Sequence, residues 1–267
     1  MPVANRVAIS FAVTLSCSLP ANADVMKELA PTGKLRVAIA VAPAPSALYA
    51  VKDEATGQYR GVTVELGAAM AKKLGVPVEF VPHLASGEIQ NSADANRWDV
   101  TFMPVDEERK KFVDFGNAYH LLQSTYLVAP GTKITKIDEV NEPSVRIGGV
   151  ANTATFRAAQ RTAPKATFAT VPGVDAAVAA MKAGDIDCIA LSRESLSGLT
   201  AKIPGSRILE GGFLNASTAV AVPKGKPEAL AYVSQFIEQA KAAGLVRKAF
   251  DDMGLKNSQV APAGMKP

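Results

Sequence analysis

Apolar positions along this chain fall into short runs of two kinds, and the two kinds take turns. Runs at residues 34–40 (KLRVAIA), 77–81, 99–103 (DVTFM), 145–149, 166–170, 186–191 and 216–222 are rich in Val, Ile, Phe and Ala. Being nearly continuous, they predict strands covered on both faces. Segments with apolar residues at helical spacing alternate with them: 61–74 (GVTVELGAAMAKKL), 152–162, 174–183 and, near the end, 227–243 and 245–253. Shorter helices are expected at 25–29, 86–95 and 194–201. Gly75 and Gly184 follow two of the longer segments as natural C-caps, and Asn152-Thr153 stands where another begins. Strand, helix and strand in succession make βαβ units, so the fold class is α/β.

The pattern also echoes itself. Asp99-Val100-Thr101-Phe102-Met103 is matched by Asp187-Cys188-Ile189-Ala190-Leu191. Likewise Ser124-Thr125 leading to Val128-Ala129-Pro130 is matched by Ser217-Thr218 leading to Ala221-Val222-Pro223. Their matching places predict two Rossmann-like lobes joined by two crossing strands. Residues 24–128 and 222–260 would form the first lobe and 129–221 the second. From about Lys256 the chain is polar and proline-bearing, and 261–267 is expected to be a flexible tail.

Composition narrows the class. Apolar residues make up 48% and charged residues 20%, an ordinary globular balance, with a formal charge of +4. The run Arg109-Lys110-Lys111 directly follows three acids, too short and too balanced for a nucleic-acid stripe. Residues 1–23 read as a cleavable secretory signal: Arg6, an apolar run at 7–19 too short for a permanent membrane span, then Ala21-Asn22-Ala23. Cys17 after Ser16 raises a lipoprotein signal as the competitor, but Thr14 and Leu15 fit that pattern badly. Cleavage after Ala23 leaves Cys188 as the one remaining cysteine, in an apolar run where it reads as a small buried hydrophobe. His83 and His120 are the only histidines, without zinc-ligand spacing. Neither G-x-S-x-G nor a P-loop nor G-x-G-x-x-G is present, so no metal or cofactor is expected.

Candidate chemistry gathers where strands end and helices begin, the usual ligand position of open α/β sheets. In residues 98–131 a strand is broken by Pro104, and a charged helix starts near Asp106, with Arg109 in its first turn. A further strand follows at 124–129. A cation at that helix end opposes the field of the backbone dipoles. Arg109 is therefore either solvated beside Lys110 and Lys111 or placed against an anion. Asn152 and Thr153 are either plain caps or part of an anion seat with the backbone N–H groups of 148–153. Ser192 and Glu194 follow the last strand of the second lobe. Phe102, on the strand leading to Arg109, and Tyr49, at the edge of the proline-rich loop 42–46, complete the candidates.

Asp106-Glu107-Glu108-Arg109, then Val113-Asp114-Phe115 and Tyr119, together with Gly61, Glu65 and Leu74-Gly75-Val76, resemble the family 3 extracellular solute-binding proteins. The resemblance runs in order over nearly all of the chain after the first two dozen residues. It implies a Venus-flytrap fold of the type 2 periplasmic-binding-protein class and a monomeric, non-enzymatic periplasmic receptor. Such a receptor passes an amino acid or related carboxylate to the permease of an ABC importer, with the arginine gripping the carboxylate. A ligand sensor, or a secreted enzyme resembling cyclohexadienyl dehydratases with Glu194 as its acid, is the alternative. Two departures stand out. Ser192 occupies the place where relatives carry an aspartate for the α-ammonium, and Pro104 replaces a Ser or Thr five residues before the arginine. Residues 44–48 also lack the ring that often stacks on the ligand, leaving Tyr49 as the nearest. The ligand is thus expected to be a small organic anion without an α-ammonium, or an amino acid held differently. Glu194 is either the substitute acid or a solvated residue at a helix start.

Overall fold

In the computed structural model the described residues are 23–41 and 47–267. Residues 1–22, all but the last of the expected secretory signal, and 42–46, the expected proline-rich loop, lie outside them. After helix α1 (Ala23–Leu29), the apolar run KLRVAIA supplies strand β1 (Leu35–Ala40), and a hairpin of β2 (Val51–Lys52) and β3 (Tyr59–Arg60) follows. Helix α2 (Val62–Leu74) ends on left-handed Gly75 at φ 80°, the cap that its sequence predicts. Strand β4 (Val78–His83), helix α3 (Ser86–Asn91) and strand β5 (Val100–Pro104) complete the first half, with β4 and β5 flanking β1 in parallel. The second half repeats the plan. Strand β7 (Arg146–Val150) is followed by helix α4 (Ala154–Thr162), strand β8 (Thr167–Val171), helix α5 (Val174–Ala183), strand β9 (Cys188–Ser192) and helix α6 (Arg193–Ser197). Here β8 and β9 flank β7 in parallel.

Two long strands join the halves. β6 (Val113–Val128) pairs along most of its length with β11 (Leu214–Pro223), and its last five residues pair with β9. β11 in turn pairs with β5, giving the continuous order β4-β1-β5-β11-β6-β9-β7-β8, with the short β10 (Arg207–Ile208) beside β6. Helices α7 (Pro227–Ala242) and α8 (Leu245–Asp252) then pack back on the first lobe. Val233, Phe236 and Phe250 enter its core beside Leu35, Leu66 and Val100. The second lobe has its own apolar clusters, around Ile189 and Leu196 on one face and around Ile147 and Ala159 on the other.

The sequence echo has a structural counterpart. At the start of β5, Asp99 is fully buried and takes two side-chain nitrogens of Arg36, at 2.9 and 2.7 Å, plus the Arg36 backbone N–H. At the start of β9, Asp187 takes the same three donors from Arg146, at 3.0, 2.8 and 2.9 Å. Each clasp ties the last of a lobe's three parallel strands to the first, beside which it lies.

Four expectations need correction. The crossing strand begins at Val113 rather than 124, and the helix expected at Asp106 is a single 3₁₀ turn, Arg109–Lys111. Helix α3 stops at Asn91, short of residue 95. The segment from Lys256 onward, 261–267 included, is tied down instead of frayed. Strand β12 (Gln259–Val260) pairs with Leu121 and His120 of β6, Ala261 N–H donates to the Tyr119 carbonyl at 3.0 Å, and Ala118 N–H donates to the Met265 carbonyl at 2.9 Å. Lys241 Nζ adds a bond to the Pro262 carbonyl at 2.8 Å. The polar composition is real, but the backbone of β6 offers partners to any strand laid beside it.

Candidate functional site

Among the described residues, Arg109 is the one lysine or arginine that is fully buried, and no acid lies within ion-pair distance of it. The turn that carries it leaves β5 at Pro104, and the side chain folds back under that strand end with no exposure at all. Nη1 donates to the Pro104 carbonyl at 2.9 Å and Nη2 to the Ser86 hydroxyl at 2.7 Å, while Nε has no partner. Burial, reinforced by the charge of Arg157, pushes its pKa down to about 10, with Tyr49 and Asp106 pulling the other way. It is therefore still a cation at neutral pH. The solvated reading of Arg109 does not hold. Its neighbours Lys110 and Lys111 take the surface role, paired with Glu107 and Glu108.

Asp106 is engaged across the cleft. Its carboxylate accepts from Arg157 of α4 at 2.5 Å and from the Glu108 N–H at 3.0 Å. Burial pushes the Asp106 carboxyl up, but Arg157, Arg109 and the Glu108 N–H outweigh this and hold it below the usual range. Gly87, next to Ser86, lies so close to the second lobe that a Cβ there would sit 2.6 Å from the Ala151 carbonyl and 2.8 Å from Asn152 Cβ. Ala85 packs with Leu127, Val150 and Leu196 of the second-lobe cluster. The two lobes are in contact.

The other predicted residues spread over three environments. Thr153 is the N-cap of α4, accepting from Phe156 N–H at 3.2 Å and donating to the Val150 carbonyl at 2.9 Å. Asn152 is exposed at φ 55°, an αL position that Asn tolerates. Of the two glycines before them, Gly149 makes room for the Phe156 ring, which a Cβ would meet at 1.9 Å. Ser192 caps α6, accepting from Ser195 N–H at 3.3 Å and lying 2.8 Å from the Ser195 hydroxyl. Phe102 is buried in the first-lobe core, edge-on to Tyr119 at 5.7 Å between ring centres. Tyr49 is half-buried, its carbonyl fixed by the Thr63 hydroxyl at 2.8 Å. Burial raises the Tyr49 hydroxyl pKa, Arg109 lowers it and Glu194 raises it, so both charges reach that ring.

Sequence reasoning missed a polar group on β6. Tyr119 and His120 are consecutive, yet both are fully buried. The Tyr119 hydroxyl has no partner, and its pKa is raised well above the ordinary value by burial, then by Tyr49 and Glu194. His120 Nε2 lies 3.2 Å from Glu194 Oε1, and Nδ1 lies 3.4 Å from the Thr218 hydroxyl. Ser258 of the docked tail donates to the same Glu194 oxygen at 3.4 Å, while Oε2 is buried and unpaired. The solvated reading of Glu194 fails with that, its side chain being 15% exposed. Arg109, Tyr49, Tyr119 and Glu194 thus form one electrostatically connected group at the lobe junction.

A sequence profile of the bacterial extracellular solute-binding proteins, family 3, matches residues 35–253. A glutamine-binding protein of Geobacillus stearothermophilus is 24% identical over 209 residues, covering 74% of this chain and 76% of that protein. Among solved structures, an ancestral amino acid-binding protein, described as a precursor of cyclohexadienyl dehydratase, is 29% identical with a TM-score of 0.74. It covers 85% of this chain and 98% of its own. An ancestral arginine-binding protein bound to arginine is 26% identical with a TM-score of 0.74, covering 83% of this chain and 98% of its own.

Proposed function

Since the chain belongs to family 3 of the bacterial extracellular solute-binding proteins, we propose that it captures a small carboxylate-bearing solute in the periplasm for an ABC importer. The solute is an amino acid or a related organic acid, and the membrane permease is the partner that receives it. The observation that carries this reading is the fully buried Arg109 guanidinium with an unpaired Nε at the junction of the lobes. Guanidinium has five N–H donors in a planar fork. Pro104 and Ser86 engage the two terminal nitrogens from within the first lobe, which fixes the plane and leaves the Nε edge for a carboxylate. Desolvation makes an incoming carboxylate more strongly held than it would be at the surface. A ligand touching both lobes favours the closed arrangement through that differential contact, with β6 and β11 as the hinge strands.

The test is a thermal-shift screen of amino, keto, hydroxy and aromatic acids with the purified chain, since a ligand of the native state alone raises the melting point. The expected result is a shift by at least one carboxylate, abolished in Arg109→Ala; full affinity in that variant would remove the arginine from the site.

Glu194 favours one second reading, a secreted enzyme resembling cyclohexadienyl dehydratase. A carboxyl that is buried with one free oxygen is the kind of group such an elimination needs as its acid. The likeness to the ancestral precursor at 29% identity supports the same alternative. Turnover of prephenate by the purified chain, lost in Glu194→Gln, would establish it; no turnover leaves the receptor.

A further inference from the structure

We propose that residues 256–267 form a strap across the hinge. Laid on the edge of β6 that β11 leaves free, the strap confines bending to Leu122 and Gln123 and, through Ser258, favours the closed arrangement. The inference goes beyond the receptor reading above and rests on it only for the effect on ligand affinity.

The stretch of β6 under the strap is the irregular one. Against β11 the register slips twice there, between Thr218 and Ala219 and again between Ala219 and Ala221, opposite residues 115–120 of β6. Such slips leave ladder groups unpaired and let a strand bend. With nothing on its other edge, β6 would flex over that whole stretch. The strap covers it. The Met265 carbonyl takes the Ala118 N–H at 2.9 Å, Ala261 N–H donates to the Tyr119 carbonyl at 3.0 Å, and Val260 and Gln259 pair with His120 and Leu121. From Ser124 onward β9 covers the same edge. Among the described residues no strand covers it at Leu122 and Gln123, and there the lobes are left free to turn.

The strap is fastened to the first lobe at both ends. Lys241 of α7, with its side chain only 6% exposed, donates to the Ala118 and Pro262 carbonyls at 3.0 and 2.8 Å. Glu238, one turn earlier, pairs with Lys241 at 2.7 Å and accepts from Gly264 N–H at 2.8 Å. Arg247 of α8 holds the Ser258 and Leu255 carbonyls at 2.6 and 2.9 Å. From that fixed backbone the Ser258 hydroxyl reaches Glu194 of the second lobe at 3.4 Å. Cavities of about 480 and 430 Å³ flank this contact, which gives the strap and the start of α6 room to part. Opening the lobes carries α6 away from a serine that α8 keeps in place, and the bond breaks. Its energy therefore belongs to the closed arrangement alone.

The experiment measures the distance between the lobes in the full chain, in Ser258→Ala and in a chain ending at Lys256. Spin labels go on Leu84→Cys and Thr170→Cys, exposed positions at the cleft ends of β4 and β8, the two outer strands. The background is Cys17→Ser, and the buried Cys188 stays unlabelled. Without ligand, Ser258→Ala is expected to shift the distances to longer values, and the shortened chain to broaden them further. Ala261→Pro, which deletes the N–H given to Tyr119, replaces the shortened chain should that fail to fold. Affinity for any acid of the panel above should fall about 2- to 10-fold in Ser258→Ala, the range of one net hydrogen bond. Unchanged distances in both variants overturn the strap, and equal widths in both overturn the confinement of the hinge. If acids bind and need Arg109 while the distances stay unchanged, the receptor stands and the strap falls. If no acid binds, the receptor reading fails and the distances still decide the strap.

Discussion

Asp106 shows how one carboxylate reports on the state of the cleft. Its pKa lies below the ordinary range because Arg157, Arg109 and the Glu108 N–H together outweigh its burial. A group depressed in the folded state contributes stability above its unfolded pKa of about 3.9, and that contribution is lost as pH falls through the lower folded value. The acid limb of the wild-type stability profile should therefore show a decline below about pH 4. In Asp106→Asn that part of the decline should be absent; pH-dependent melting curves of the two proteins check this. Arg109 was legible beforehand because its place in the D-E-E-R run resembles a known pattern. Tyr119 was legible only as part of that same pattern, and its burial together with His120 was not, for a physical reason: β6 slips register against β11 between His120, opposite Thr218, and Ala118, opposite Ala219. The slip turns both consecutive side chains inward and breaks the period-two alternation from which a strand's faces are read.

The two Arg–Asp clasps are one device used twice at different depths. In the first lobe Asp99 has no exposure and Arg36 only 12% at the side chain; in the second, Asp187 and Arg146 are 24% and 44% exposed. Removing one partner of a buried pair leaves an uncompensated charge, so Asp99→Ala should cost about 3 kcal/mol. Asp187→Ala should cost a fraction of that, because its arginine turns to water. Urea denaturation of the two variants side by side gives the comparison. The strands behind these clasps were readable as apolar runs, and the pairing of the echoes at Asp99 and Asp187 pointed to the duplication. Helix α3 was overextended because residues 92–95, Ser-Ala-Asp-Ala, are helix-compatible. Ser92 turns its hydroxyl to the Ile89 carbonyl and receives the Trp98 indole N–H instead.

The lobes meet at Gly87 with no room for a side chain. Gly87→Ala would put a methyl group 2.6 Å from the Ala151 carbonyl. Overpacking of that kind costs about 1–3 kcal/mol. Here the cost falls on the closed arrangement alone, so ligand affinity should drop by roughly 5- to 150-fold. Small-angle scattering should show the ligand-induced compaction of the wild type lost in the variant; an unchanged affinity would mean that the lobes close elsewhere. The docked end of the chain has a practical consequence. Met265 shares a groove with Glu194 and Arg193, and Ser258 holds the Glu194 carboxylate. A purification handle joined after Pro267 would begin beside the mouth of that groove, so affinities measured on such a fusion would report the handle along with the receptor.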